Sequence, residues 1–172
     1  MQPVTDLIAL VLFPALMTYS ALSDLFTMTI ANWISIVLVV GFSVLATLSG
    51  MPLREIGIDH LACGAGVLIL TFFMFARGWI GGGDAKLAAA TAVWVGWTQL
   101  SSYALLASLL GAALTLSILR FRKFELSAGW MKQSWIARIH SRQAGIPYGI
   151  ALAAAGLVIY PDTQLWRTVV GY

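Results

Sequence analysis

Charge is what this sequence has least of. Only 10% of its 172 residues are Asp, Glu, Lys or Arg and 60% are hydrophobic, whereas a soluble domain has about 25% charged and about 45–50% apolar residues. With a mean hydropathy of +0.88, the chain cannot clothe itself for water, and it reads as an integral membrane protein. Its single cysteine, Cys63, excludes an internal disulfide and a cysteine-only metal cluster, and its apolar surroundings suit a packing residue. There is no His-Glu-x-x-His motif and no Gly-x-Ser-x-Gly elbow, so two common hydrolytic designs lack support. The opening residues "MQPVTD" hold no Lys or Arg. The apolar run from Leu7 to Leu22 therefore lacks the basic flank of an export signal and is expected to be a retained helix. The net charge of +3 does not imply a nucleic-acid partner, because the basic residues gather in one segment and membrane topology accounts for them.

What is present in quantity is apolar sequence of spanning length. A membrane helix needs about 20 mainly apolar residues at about 1.5 Å each. Such runs fall near 5 to 23, 33 to 49, 58 to 76, 84 to 98, 100 to 119 and 146 to 160. The expected fold is all-α, a polytopic membrane helix bundle of about six transmembrane helices forming one domain over residues 1–172. Residues 120–145 form a basic loop within it. With six spans, the loops at 24 to 32, 77 to 86 and 120 to 145 share one side and hold eight of the ten basic residues, leaving Arg54 and Arg167 opposite. The positive-inside bias makes that first side cytoplasmic and puts both termini outside. Phe124, Trp130 and Trp135 among the cations of the basic loop suggest a segment resting on anionic lipid headgroups, but its apolar residues do not form one clean helical face, and a plain topology-setting loop is an equal alternative.

One stretch does not suit a spanning helix: "GGGDAK", Gly81 to Lys86. From Lys86 to Trp97 there are twelve residues, about 18 Å of helix against a hydrocarbon core of about 30 Å. The preceding "RGWIGGGD" is therefore expected to dip inward as irregular backbone, tolerated where it is buried in protein or lines a wet cavity. Gly81, Gly82 and Gly83 would permit unusual dihedrals and close approach. Ala85, Ala88, Ala89, Ala90 and Ala92 would let the following helix pack tightly on a neighbour.

The acids sharpen this reading, because a carboxyl at the centre of a lone membrane helix costs about 2.5–3.5 kcal/mol. Asp6, Glu55, Asp59 and Asp162 fall near outer boundaries, and Glu125 lies in the basic loop. Asp24 ends the first span in "SDLFTMTIAN", which has no basic residue, and Asn32 begins the second. Asp24 as an interfacial cap and Asn32 as a helix N-cap are the plain alternatives. Asp84 has one as well: a loop acid beside a snorkelling Lys86. Two acids on one side of a small bundle nevertheless suggest a carboxylate pair that divides acid and base roles and hydrolyses a peptide bond without a covalent intermediate. No metal or cofactor is called for. Asp59, His60 and Cys63 span one helical turn with no second contributor, so a boundary acid and histidine with a packed cysteine are expected there. A rival reading makes the same acids a proton relay in a coupled transporter or channel subunit.

At these residues the sequence resembles the type IV prepilin peptidases, within the wider group of Gly-x-Gly-Asp intramembrane aspartic proteases. Gly81, Gly83 and Asp84 match that signature, Asp24 with Ile30 and Asn32 resembles the first-aspartate motif, and "IPYGIALAAAG" from Ile146 resembles a third block. Ala31 stands where the family's Ile-Pro-Asn has proline, so the turn before the second span is expected to be less fixed. The resemblance implies that Asp24 and Asp84 are the catalytic pair, supported by Gly81, Gly82, Gly83, Lys86 and Asn32. It also implies that the substrates are pilin precursors whose short basic leader is cut at the cytoplasmic boundary of a bacterial inner membrane, with the pilus assembly machinery as a further partner. Bifunctional members carry a cysteine-rich insertion and methylate the new N-terminus. This chain has no such insertion, so a compact peptidase of the Flp or Tad type, without methyltransferase activity, is expected.

Overall fold

The computed structural model describes residues 2–170, leaving aside the side chains of residues 2–6, 9 and 128. The expected outer-boundary position of the Asp6 side chain thus lies outside the described residues. Every regular element among those residues is helical. Two long helices, α1 (Gln2–Thr27) and α2 (Asn32–Leu48), are followed by a short α3 (Leu53–Glu55), which runs through a π-helical turn (Ile56–Leu61) into α4 (Ala62–Ala76). Then come α5 (Gly82–Phe121), two short helices α6 (Ala128–Met131) and α7 (Ser134–His140), α8 (Gly149–Ile159), a 3-10 turn (Tyr160–Asp162) and α9 (Gln164–Val170).

Leu10–Thr27, Leu53–Ala76 and Gly82–Phe121 are long and apolar enough to cross a membrane, and Asn32–Leu48 and Gly149–Asp162 are shorter apolar helices. The 40 residues of α5 would extend about 60 Å, twice the hydrocarbon thickness. They do not run straight: Gly96, at φ 63 and ψ 178, breaks the helix into two arms. This break supplies the fourth and fifth of the expected apolar segments, and the structure is the all-helical membrane bundle that composition predicts.

The first arm of α5 is the axis of the bundle. From Ala85 to Val95 every residue but Lys86 is buried, as a helix that is apolar on all faces requires. Its alanines and the glycines facing it set the packing distance. A Cβ on Gly64 of α4 would overlap Val93 and lie 3.0 Å from the Ala89 carbonyl. At one end of the axis an aromatic cluster fills the core, with Phe13 4.8 Å from Trp94 and 4.6 Å from Tyr160, ring centre to ring centre. The Trp94 indole donates to the Leu38 carbonyl at 2.9 Å, which satisfies its one polar atom. Around this interior the lipid-facing surface is apolar: Leu68, Ile69, Leu70, Phe72 and Phe73 of α4 and Ile36, Val40 and Val44 of α2 are exposed.

The break at Gly96 explains His60. Gly96 has a positive φ, and a Cβ there would sit 3.0 Å from His60 Cε1 and 3.2 Å from the Asp59 carbonyl. His60, 2% exposed, donates from Nδ1 to the Val93 carbonyl at 2.8 Å and stacks on Phe42 at 4.6 Å. The Trp97 indole donates to the Ile58 carbonyl in the π-helical turn at 3.0 Å. Asp59, His60 and Cys63 assemble no metal-binding group among the described residues.

The chain ends of these helices sort to two poles. At one, Gln99 donates to the Asp162 carbonyl and Gln164 to Glu55, gathering residues 51–58, 97–99 and 160–168. At the other lie the end of α1, the start of α5, the end of its second arm and residues 122–148. The eight cations grouped by the six-span reading belong to this second pole, with Asp24 and Asp84.

Candidate active site

Asp84 enters the site by a route different from the expected one. The irregular backbone, residues 77–81, ends before Asp84: α5 begins at Gly82 with Gly81 as its cap in extended geometry, φ −71 and ψ 147. Asp84 therefore sits in the first regular turn, its carboxyl facing the Gly81 amide as the third residue of a capping box does. Gly81, Gly82 and Gly83 do not adopt the unusual dihedrals expected of them, since the positive-φ glycines are Gly50, Gly78 and Gly96. Close approach is their role. A Cβ on Gly81 would lie 2.9 Å from Asp84 Oδ2, one on Gly82 3.3 Å from the Phe75 ring, and one on Gly83 3.1 Å from Ile30 Cβ. The triple glycine thus lets the start of α5 nest against the turn that joins α1 to α2.

Asp24 lies one turn inside α1, which continues to Thr27, and it is only 5% exposed. Its Oδ2 accepts the Gly149 amide at 2.7 Å. Gly149 opens α8, so this amide is one of the donors that a helix N-terminus leaves without an internal partner. The same amide faces the Asp84 carboxyl, and the two carboxyls are close enough to repel each other. Capping alone does not account for this, because one N–H needs only one acceptor. A Cβ on Gly149 would lie 2.8 Å from Asp24 Oδ2 and 2.6 Å from Ile30 Cδ1. The absent side chain is what lets α8 reach the carboxyls.

The two acids open onto a cleft of about 800 Å³ lined also by Met28, Trp79, Thr115, Arg122, Ile146 and Tyr148. Its far wall is held by Arg122, which donates from Nε to the Ile139 carbonyl at 2.7 Å and from Nη2 to the Ala144 and Gly145 carbonyls at 3.0 and 2.8 Å. Arg138 donates to the Phe26 carbonyl at the end of α1 at 2.8 Å, and Trp135 packs edge-on against Phe26. The segment 120–145 is therefore folded over this pole through two short helices, which is why its apolar residues showed no single helical face.

Asn32 and Lys86 stand apart from the carboxyls. Lys86 donates from Nζ to Asn32 Oδ1 at 2.7 Å, tying the start of α2 to the start of α5. Asn32 is the first residue of α2 and not its cap; that position belongs to Ala31, at φ −69 and ψ 138 with no side-chain hydrogen bond. Alanine here holds the φ that proline would fix.

Sequence reasoning did not single out Gly149, Arg122 or Tyr148. The "IPYG" block carried the signal for two of them. Arg122 was hidden among topology-setting cations, since nothing in the sequence marks which arginine folds back on the chain.

Fold and cleft together define a polytopic membrane protein with an acidic cleft at one pole of a helix bundle. The sequence profile of the type IV leader peptidase family matches residues 11–116, more than half of the chain, and the chain belongs to that family. It is a protease of the type IV leader peptidase kind. No curated protein and no solved structure matches it.

Proposed function

We propose that this protein is an aspartic endopeptidase that removes the basic leader from Flp-like type IV prepilins at the cytoplasmic boundary of a bacterial inner membrane, with Asp24 and Asp84 as an acid/base pair. The observation that carries this reading is the convergence of both carboxyls on the single Gly149 amide at the mouth of one cleft. Such a pair can divide the work. The ionised member takes a proton from water as the water oxygen bonds to the scissile carbonyl carbon, while the neutral member passes its proton to the carbonyl oxygen, giving a tetrahedral diol and exchanging the two protonation states. On collapse the newly protonated carboxyl gives its proton to the leaving nitrogen, the newly ionised one takes a proton from a diol hydroxyl, and the C–N bond breaks. The Gly149 amide orients the pair throughout.

The location suits the substrate. A precursor whose apolar helix lies in the bilayer and whose leader lies in the headgroup region would present the intervening bond at this pole. The positive-inside bias supports a cytoplasmic position for that pole, and pilus assembly is the step that the mature product would enter. The basic segment is a folded wall of the same bundle, which supports treating it as part of a single peptidase domain; the absence of methyltransferase activity is proposed from the sequence, which has one cysteine and no cysteine-rich insertion.

The test is in vitro processing of a leader-bearing prepilin by the purified enzyme, followed by mass spectrometry. Asp24→Asn and Asp84→Asn should each lower the rate by at least about 10²–10⁴-fold, the range for loss of a positioned acid or base. Either variant cutting at the normal rate refutes the pair. A mature product carrying an extra methyl group refutes the single activity.

A further inference from the structure

Beside the acidic cleft, on the other side of Arg122, lies a second open pocket of about 830 Å³ lined by Leu116, Leu119, Arg120, Arg122, Lys123 and Arg142. Four cations meet there, and among the described residues no acid lines the pocket and no ion pair involves any of the four. Arg120, Arg122 and Lys123 come from the end of α5. Arg142 is brought back to them because Arg122 binds the carbonyls of Ala144 and Gly145. The Nη1 group of Arg122 has no hydrogen-bond partner among the described residues, while Nε and Nη2 hold the cleft wall.

A topology signal needs cations on one side of the membrane, but it does not need them gathered round one hollow. The leucines add a second constraint. Leu116 is 66% and Leu119 46% exposed, and both lie on the spanning helix Gly82–Phe121, within the turn that precedes the cations. Clustered positive charge directly above exposed apolar surface matches an amphiphile with an anionic head. We propose that this pocket binds an anionic phospholipid of the surrounding bilayer, with its phosphodiester among Arg120, Arg122, Lys123 and Arg142 and an acyl chain along Leu116 and Leu119. Because Arg122 also braces the wall formed by residues 139–145, the bound headgroup steadies that wall from behind. The binding site does not rest on the peptidase reading.

The experiment uses the full chain in phosphatidylcholine nanodiscs with and without phosphatidylglycerol, with retained lipid read by native mass spectrometry. The wild type should retain phosphatidylglycerol over phosphatidylcholine. Each cation near an anionic surface contributes roughly fivefold to binding, so Arg120→Gln/Lys123→Gln/Arg142→Gln should weaken that preference on the order of a hundredfold. Arg122 is left in place because it holds the cleft wall. Arg77→Gln/Lys132→Gln, which removes charge from the same pole outside the pocket, should retain the preference. So should Arg120→Lys/Arg142→Lys. The proposal is overturned if the wild type shows no preference, if the triple variant keeps it, or if Arg77→Gln/Lys132→Gln loses it equally. Displacement of the lipid by millimolar inorganic phosphate would overturn it in favour of a free-anion site.

Discussion

Replacing Gly149 with alanine perturbs the proposed dyad while leaving both carboxyls in the chain. The new Cβ would lie 2.8 Å from Asp24 Oδ2 and 2.6 Å from Ile30 Cδ1, where ordinary contact begins near 3.4 Å. These gaps are short by about 0.6 Å and 0.8 Å. Ile30 Cδ1 is the end of a flexible side chain and can turn aside, but the Asp24 carboxyl is held by the Gly149 amide itself. Either the Asp24 carboxyl leaves the Gly149 amide or the start of α8 withdraws, by an amount approaching 1 Å. A displacement of that size at reacting groups costs about 10²-fold in rate, so Gly149→Ala should lower kcat on prepilin by about two orders of magnitude. Gly156→Ala is the control. It lies on the same helix, where a Cβ would meet Thr91 Cγ2 at 3.2 Å and Phe13 Cζ at 3.3 Å, and it gains the same helix propensity. The assay is initial-rate cleavage in detergent, with thermal unfolding measured alongside. Gly149→Ala cutting within a few-fold of wild type, or Gly156→Ala losing as much activity at equal stability, would refute the idea that the α8 amide organises the acids.

Two further outcomes follow from backbone geometry. Ala31→Pro should raise stability by about 0.4–1 kcal/mol, because the native φ of −69 is already that of proline and the gain comes from the unfolded chain; a lowered melting temperature would show that the turn does not tolerate the ring. Gly96→Ala should lower stability by at least about 1–2 kcal/mol, the cost of a side chain in left-handed backbone, with contact against His60 in addition. Thermal unfolding in detergent measures both, and an unchanged melting temperature for Gly96→Ala would mean that α5 can straighten there.

The sequence was most legible where the membrane simplifies the physics. Backbone polar groups in hydrocarbon must be satisfied within the segment, so long apolar runs become helices with little interference from neighbours, and α1, α2, α4 and both arms of α5 lie where hydropathy puts them. The pairing of Asp24 with Asp84 at one pole was also readable, since counting spans fixes which loops share a side. Local geometry was harder. The shortness of the run from Lys86 to Trp97 suggested a dipping loop because the helix start was sought at the first long side chain, and three glycines argue against a helix by propensity. Packing offsets that preference: a Cβ on Gly83 would lie only 3.1 Å from Ile30 Cβ, so the glycine lets a helix that begins at Gly82 sit close against the α1–α2 turn. Asn32 begins α2 as expected, but its plain alternative, an N-cap, fails for a related reason. Its residue type favours capping, but Lys86, fifty-four positions away, takes its oxygen.

The same glycines suggest how the site arose from ordinary helix chemistry. Asp84 faces the cap amide of its own helix, and Asp24 accepts the first amide of α8; each contact separately is a stabilising N-terminal acid of a familiar kind. What makes the arrangement unusual is that Gly81, Gly83 and Gly149 remove the side chains that would keep the two helix starts and the end of α1 apart. Two capping interactions then meet at one cleft: Asp84 keeps the Gly81 amide, and both carboxyls face the Gly149 amide. One acid per helix start would satisfy both helices without bringing the carboxyls near each other, so capping does not require their convergence. The missing side chains at three positions permit it, and two adjacent carboxyls are the arrangement that shared acid/base work on one water would use.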